Sequence, residues 1–311
     1  MLDAISKSVF HGLARSRAIE ALASRVGMAR PSSFGRRFIA GETLDEAVAA
    51  ARAVQAGGMR VSLDQLGESV ATIAEADAAT RVYVEMVGTI VASGVERNIS
   101  LKLSQLGLDI ARTACAGNLR RILDASGPQG FFVRIDMEAS ATVPATLEIF
   151  QAAWNQGFRH VGPVLQSALY RSEEDARHLS EMGARVRLVK GAYKEPRSVA
   201  HQKKADVDAA YVRIMEGLLR AGTYPALATH DPAIIGAARR FAAANGIGKD
   251  RFEFQMLFGI RRDLQAALVK EGYRLRLYVP FGKQWFPYFM RRLGERPANV
   301  GFVLRALLQD R

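Results

Sequence analysis

The chain has 311 residues, of which 49% are hydrophobic and 24% charged, a composition typical of a globular protein with a sizeable core. Its single cysteine, Cys115, excludes an internal disulfide and a cysteine-based metal site, and we expect no bound metal. The formal net charge of +12 favours anionic partners, but the basic residues are scattered without long runs, which argues against nucleic-acid binding.

The sequence also indicates where the protein works. No stretch approaches the ~20 apolar residues of a membrane span. The N-terminal segment 1–17 lacks the apolar core and cleavage site of a secretory signal. We therefore expect a cytoplasmic protein, whose basic charge favours peripheral contact with the inner face of the membrane.

In chain order, the first predicted unit is an N-terminal helical extension over 1–55, interrupted by a Pro/Ser/Gly-containing break at 30–35. Short strand-like runs follow, and helical patterns such as 79–94, 207–222 and 233–246 lie between them. The runs are 59–67, 98–107, 131–138, 160–166, 185–191, 226–230, 252–259 and 274–282. Alternating strands and helices predict a parallel sheet, and eight such units predict closure into a (β/α)₈ barrel over 56–311.

Charged residues interrupt several of these runs, although strands of a parallel barrel are normally apolar. The residues are Lys102, Arg134, Asp136, Glu138, Arg185, Arg187, Lys190, Arg274 and Arg276, with Tyr278 in the last run. A charge in such a strand must be paired or lie at a solvated end. One interpretation is an internal ion-pair network of Lys102, Asp136 and Arg187. The other is an active site, because barrels of this type build theirs at the C-terminal strand ends.

The segment 285–297 after the last run predicts a short helix, with Pro287 in its first turn and Pro297 marking its end. Helical spacing places Arg291 and Arg292 beside Tyr288 and Glu295. Two adjacent guanidinium groups match a carboxylate or phosphate, so an anion clamp is one interpretation. A solvent-facing Arg/Glu helix is the other.

Short segments of the chain resemble, in order, those of the proline dehydrogenase family. They are SLKLSQLG, RIDME, VLQ, RLVKGAY, ATHD, EFQMLFG, LYVPFG and YFMRRLGERPAN. The resemblance covers roughly residues 55–310. It implies a distorted (β/α)₈ barrel with non-covalent FAD that oxidises L-proline to 1-pyrroline-5-carboxylate by hydride transfer, the first step of proline catabolism to glutamate. It also implies a quinone electron acceptor and a functional link to a separate pyrroline-5-carboxylate/glutamate-semialdehyde dehydrogenase.

The same resemblance implies a role for individual residues. The expected catalytic residues are Lys102, Asp136 and Arg187, with Arg187 beside the reactive flavin nitrogen. The expected substrate pocket consists of Lys102, Leu257, Tyr278, Tyr288, Arg291, Arg292 and Glu295. The expected flavin contacts are Met137, Gln166, Arg187, Val189, Lys190, Gly191, Ala192, Thr229 and His230. The sequence does not identify a general base.

Three alternatives stay open on the residues alone. The first is the same chemistry on hydroxyproline or an N-methylated amino acid, since a carboxylate clamp would serve all of these. The second is a Schiff-base aldolase with Lys102 or Lys190 as the amine, because a lysine at a strand end is what that chemistry requires. The third is a non-catalytic carboxylate-binding barrel.

Overall fold

The computed structural model is a closed barrel of parallel strands, in which each strand pairs with the next and the last pairs with the first. It describes residue 28, residues 33–67 and residues 69–294, except for the side chains of 34 and 291–294. The strands are β1 (Arg60–Gln65), β2 (Asn98–Lys102), β3 (Phe132–Asp136), β4 (Val161–Gln166), β5 (Arg187–Val189), β6 (Ala226–Ala228), β7 (Glu253–Leu257) and β8 (Leu275–Phe281). The predicted strands and their closure into a barrel are confirmed.

Helices alternate with the strands. They are α1 (Leu44–Ala56), α2 (Ile73–Ser93), α3 (Arg112–Ser126), α4 (Val143–Asn155), α5 (Ser172–Glu181), α6 (Lys204–Ala221), α7 (Pro232–Ala244), α8 (Arg262–Lys270) and α9 (Trp285–Gly294). None of the helices described for this chain has the length and hydropathy needed to cross a membrane.

Local sequence signals explain where the first two helices begin. Thr43 accepts a hydrogen bond from the backbone N–H of Glu46, whose side chain accepts one from the backbone of Thr43 in return. Thr72 and Glu75 form the same reciprocal capping box at the start of α2. Each box satisfies backbone donors that the first helical turn leaves without partners. Helix α1 then packs against β1 and β8, so this part of the predicted segment 1–55 lies on the barrel.

Side chains alternate along the strands between the surrounding helices and the barrel interior. Lys102 of β2 contacts Asp64 of β1, and Tyr278 of β8 reaches Asp136 of β3, a strand that does not neighbour β8. The contact between Tyr278 and Asp136 spans non-neighbouring strands and can form only inside the barrel, and the Lys102 ammonium lies close to both residues. The intervening positions therefore face the helices, and Leu63, Leu101 and Ile135 are fully buried there. The outer, apolar face of the strands packs against the helices, whereas the side chains inside the barrel are polar.

A buried ion pair lies in the N-terminal half of the interior. Arg276 and Glu253 are each 2% exposed, and their side chains are joined by hydrogen bonds of 2.8 and 3.1 Å. Burial by itself raises the pKa of Glu253, but the charge and hydrogen bonds of Arg276, with Gln255 and Arg134, lower it to about 2. The buried guanidinium and carboxylate therefore neutralise each other.

A glycine makes room for a second buried arginine. Arg134 donates hydrogen bonds to the carbonyl oxygens of Pro163 and Arg185 at 2.9 and 2.5 Å. A Cβ atom at Gly162 would lie 2.2 Å from the Arg185 carbonyl oxygen and 2.8 Å from the Arg134 guanidinium. Any side chain at position 162 would therefore displace this arginine or the neighbouring strand.

Helix α9 lies at the C-terminal mouth of the barrel. Its buried aromatic residues, including Trp285 and Phe289, pack against Phe38 and against Leu66, which directly follows β1. The Trp285 indole also donates a hydrogen bond of 3.1 Å to Glu42. The segment before α1 and the last described helix thus cover one side of the mouth where the strands end.

Candidate active site

Several residues that were singled out from the sequence are the last residues of their strands, and they lie together at one mouth of the barrel. Lys102, Asp136, Gln166, Val189 and Leu257 are the last residues of β2, β3, β4, β5 and β7. The strands are parallel, so their C-terminal ends meet, and Lys102 is directly paired with Asp136 in the sheet. This is the end at which barrels of this type carry their active sites.

Asp136 is the centre of a hydrogen-bonded cluster at this mouth. The Arg187 guanidinium donates to one carboxylate oxygen at 2.5 Å, and the Tyr278 hydroxyl donates to the other at 2.8 Å. The Lys102 ammonium lies 3.9 Å from Asp136 and 3.5 Å from the Tyr278 oxygen. The ion-pair network of Lys102, Asp136 and Arg187 is therefore present, and it lies at the strand ends where an active site is expected.

The Tyr278 hydroxyl is held in its protonated form. Burial, followed by the negative charges of Asp136 and Asp64, raises the pKa of Tyr278 well above its usual value. The ring also faces the Arg187 guanidinium, whose carbon lies 5.5 Å from the ring centroid. A hydroxyl that keeps its proton can act as a hydrogen-bond donor, and here it fixes the carboxylate of Asp136.

Asp64 of β1 completes the cluster and was missed by the sequence-based prediction. It is fully buried, and one of its oxygens lies 3.4 Å from the Lys102 ammonium. Burial, aided by the charge of Asp136 and opposed by Lys102, raises the pKa of Asp64 to about 6. An acidic residue within the apolar run 59–67 was the available signal, the same signal that identified Lys102 and Asp136.

Arg187 has one donor group that nothing in the described structure satisfies. Its guanidinium donates to Asp136 and, at 3.1 Å, to the Ser100 hydroxyl, while its Nε atom is buried without a hydrogen-bond partner among the described residues. A buried donor left unsatisfied costs about 1–3 kcal/mol. A charged donor set of this kind, next to an open mouth, suits an electron-rich group bound from outside.

The loop after β5 presents bare backbone to this mouth. Gly191 has a φ of 111°, a backbone conformation that is strained for any residue with a side chain. A Cβ atom there would approach the Gln166 side-chain oxygen to 3.0 Å. Gln166 is itself fixed, since its amide donates to the Glu138 carbonyl oxygen at 2.8 Å. Gly191 and Ala192 are exposed, so a planar ligand can approach their backbone closely.

The remaining predicted cofactor residues are held in defined positions around the loop. The Lys190 ammonium is paired with Asp208 at 2.5 Å and with Asp231 at 2.8 Å. The Thr229 hydroxyl accepts a hydrogen bond from the Asp231 backbone N–H. His230 Nε2 accepts one from the Leu257 N–H at 2.9 Å, so its ring carries a proton only on Nδ1 when neutral.

Met137 and Val189 line the same side of the mouth. Met137 is 8% exposed and belongs to a small apolar cluster with Val164 and Leu169, against which Val189 packs. An apolar wall beside polar donors is a common arrangement in cofactor sites.

The predicted anion clamp falls largely outside the described residues. The backbone of Arg291 and Arg292 continues α9, but their side chains are not described, and Glu295 lies beyond the described range. Tyr288 is 7% exposed and packs with Phe289 and Leu66 in the apolar cluster of α9. The helix that was predicted from its two prolines is present, and it lies beside the mouth.

Comparisons with known proteins converge on one family. The family model of proline dehydrogenase matches residues 47–305. The chain is 40% identical to proline dehydrogenase of Deinococcus radiodurans, over 99% of this chain and 100% of the relative. It is also 40% identical to proline dehydrogenase 1 of Bacillus subtilis, over 88% of this chain and 90% of the relative.

A solved structure shows the same fold. It is proline utilization A from Bdellovibrio bacteriovorus inactivated by N-propargylglycine, which is 25% identical with a TM-score of 0.78. The similarity covers 92% of this chain but only 38% of that longer protein. The family model, the near full-length relatives and the shared barrel show that this chain belongs to the proline dehydrogenase family.

Proposed function

We propose that the protein oxidises L-proline to 1-pyrroline-5-carboxylate with non-covalently bound FAD, as the first step of proline catabolism to glutamate. The observation that carries the proposal is the cluster of Asp136, Arg187, Tyr278 and Lys102 at the C-terminal mouth of a barrel of this family. Its relatives are named for the same activity.

The residues at the mouth fit a flavin. When bound, FAD supplies an acceptor for the hydride that leaves proline. Arg187 would place positive charge beside the flavin ring, where negative charge develops during the reaction. Its unsatisfied Nε donor and the exposed backbone of Gly191 are the structural features that support this assignment. The other residues assigned to FAD are Met137, Gln166, Val189, Lys190, Ala192, Thr229 and His230.

Recognition of proline requires a carboxylate site and an apolar wall. We assign the carboxylate to Lys102, Arg291 and Arg292, because guanidinium groups bind carboxylates through paired hydrogen bonds. Tyr278 and Leu257 would cover the substrate ring, with Tyr288 and Glu295 at the edge of the pocket. Asp136 would act by orienting Arg187 and Tyr278, the two side chains that donate to it. A substrate held this way reacts faster because its orientation is fixed before the chemical step.

The electrons leave through a second partner, which we assign to a quinone. Quinones reside in membranes, and the net charge of +12 favours peripheral contact between a cytoplasmic protein and the acidic inner membrane surface. The product hydrolyses to glutamate semialdehyde, an aldehyde that a separate dehydrogenase would oxidise. The protein would therefore operate between a membrane acceptor and an aldehyde-oxidising enzyme.

Product analysis tests this function directly. Purified protein, supplied with FAD, L-proline and a water-soluble quinone, should form an imine that o-aminobenzaldehyde traps. D-proline should give none, and parallel reactions with hydroxyproline and N-methylated amino acids measure the width of the specificity. If FAD-loaded protein forms no imine from L-proline, the proposed function is wrong.

A second experiment separates this function from the aldolase alternative. Borohydride reduction in the presence of carbonyl compounds would label Lys102 or Lys190 if either formed a Schiff base. We expect no label that distinguishes the wild type from the Lys102→Met variant or from the Lys190→Met variant. An exposed lysine, Lys249, provides the matched control variant Lys249→Met. A label that disappears in Lys102→Met or in Lys190→Met, but not in Lys249→Met, would favour the aldolase.

A further inference from the structure

A cavity of about 690 Å³ opens at the N-terminal mouth of the barrel, opposite the Asp136 cluster. Its walls are built by the residues that precede or begin the strands. The charged side chains in its lining are Arg60, Glu96, Arg97, Arg159, Arg185 and Arg276. Five guanidinium groups therefore share a cavity lined by one carboxylate, an imbalance that favours an anion.

Two of these arginines are neutralised by the barrel itself. Arg276 is paired with buried Glu253 and lies 3.0 Å from Glu96. Arg60 lies 4.0 Å from the same Glu96 and donates a hydrogen bond to the Tyr224 hydroxyl. The single carboxylate of the cavity, that of Glu96, is thus shared between Arg276 and Arg60, so it does not compensate the charges of the other three arginines.

The other three arginines have no carboxylate of the described residues within 4.0 Å. Arg97 donates to the carbonyl oxygen of Gln129 at 2.6 Å. Arg159 donates to the carbonyl oxygen of Trp154 and stacks over its ring at 4.4 Å. These neutral partners orient the guanidinium groups without compensating their charge.

Arg185 adds a donor from the inner wall. Its guanidinium lies between the rings of Phe132 and Tyr224, at 4.3 and 4.7 Å from their centroids. Its Nε atom is buried and has no hydrogen-bond partner among the described residues. Burial, with repulsion from Arg276 and Arg60, lowers the pKa of Arg185 despite the opposing charge of Glu253. A bound anion would relieve this repulsion.

We propose that the N-terminal mouth is a binding site for a phosphate-bearing anion, with Arg97, Arg159 and Arg185 as its ligands. Guanidinium groups match the geometry of phosphate oxygens and pair with them through two parallel hydrogen bonds. The cavity has room for more than one phosphate group. Its phenylalanines, Phe131 and Phe132, are both buried, and Phe132 is already stacked against Arg134 and Arg185, so the site recognises the anion rather than an attached ring.

Calorimetric titration of the FAD-loaded protein with inorganic pyrophosphate at low ionic strength tests the site. The test variant is Arg97→Gln/Arg159→Gln, which removes two exposed ligands. The control is Arg120→Gln/Arg177→Gln, which removes the same charge from exposed helix pairs. We expect one site in the wild type and control, and an affinity lower by about ten-fold or more in the test variant. Equal affinities in all three proteins would overturn the proposal.

A parallel experiment with lipid vesicles identifies the source of the phosphate. It asks whether the wild type and the control co-sediment with phosphatidylglycerol vesicles but not with phosphatidylcholine vesicles. If they do, and only the test variant loses this co-sedimentation, the site is assigned to a phospholipid headgroup. Pyrophosphate binding without vesicle binding would assign it to a free phosphate compound. If the wild type binds neither, the proposal is wrong. Proline oxidation should be unchanged in both double variants, because Arg97 and Arg159 lie at the end opposite the Asp136 cluster and Arg120 and Arg177 lie on exposed helix surfaces.

Discussion

Glu253→Gln removes the carboxylate from the buried ion pair at the N-terminal half of the barrel. Glu253 and Arg276 are each 2% exposed and are joined by two hydrogen bonds of 2.8 and 3.1 Å. After the substitution, the guanidinium stays buried with the carboxylate of Glu96, at 3.0 Å, as its remaining ion-pair partner among the described residues. Burial of a poorly compensated charge destabilises the folded state.

The magnitude follows from the pKa of Glu253. Its folded-state pKa is lowered from 4.5 to about 2, so the ionised form stabilises the fold above pH 4.5. The difference is worth about 3 kcal/mol, in line with the roughly 3–5 kcal/mol measured when one partner of a buried pair is removed. Since the pKa is lowered, this stability is present at neutral pH and is lost as the pH falls from 4.5 towards 2.

Chemical denaturation, followed by circular dichroism, measures the effect. At pH 7 we expect Glu253→Gln to lower the free energy of unfolding by about 3 kcal/mol. At pH 3.5 the difference from wild type should narrow by about 1 kcal/mol. The control Glu174→Gln breaks an exposed pair with Arg177 and should change stability by less than about 1 kcal/mol. A Glu253→Gln protein as stable as the control, or a difference independent of pH, would refute the reasoning.

Substitutions at four further residues test the C-terminal mouth. Arg187→Met should slow flavin reduction by L-proline or weaken FAD binding, as measured by stopped-flow absorbance and flavin content. The exposed control Arg213→Met should do neither. An unchanged reduction rate and flavin content in Arg187→Met would assign Arg187 to barrel structure alone. Arg291→Met or Arg292→Met should raise KM for proline steeply with FAD retained, and loss of FAD instead would contradict the clamp. Asp64 has a pKa raised from 3.8 to about 6, so its contribution to stability falls as the pH rises through that range. The stability of Asp64→Asn should therefore vary less between pH 4 and 6 than that of wild type, and an identical profile would argue against the raised pKa.

The barrel could be predicted because its signals are local. Each strand is a short apolar run, each helix has its own periodicity, and their alternation allows few topologies. Lys102, Asp136 and Arg187 could be singled out because a charge in such an apolar run must be paired or lie at a solvated end. Their mutual contacts follow from the parallel arrangement, which brings the ends of β2 and β3 together.

Other features depend on contacts between distant parts of the chain. Asp64 gave the same local signal as Lys102, but its role depends on burial beside β2 and β8, which only the closed barrel creates. The pairing of Glu253 with Arg276 depends on the register of β7 and β8. The cavity at the N-terminal mouth gathers residues that are up to 216 positions apart in the sequence, from Arg60 to Arg276. No periodicity in the sequence predicts such a convergence.

The visible absorption spectrum of the purified protein, before and after anaerobic addition of L-proline, tests the central claim most directly. We expect a yellow, FAD-containing protein whose flavin absorbance is bleached by L-proline and not by D-proline. A protein that stays colourless after FAD is supplied, or a bound flavin that L-proline leaves unbleached, would contradict the proposed function.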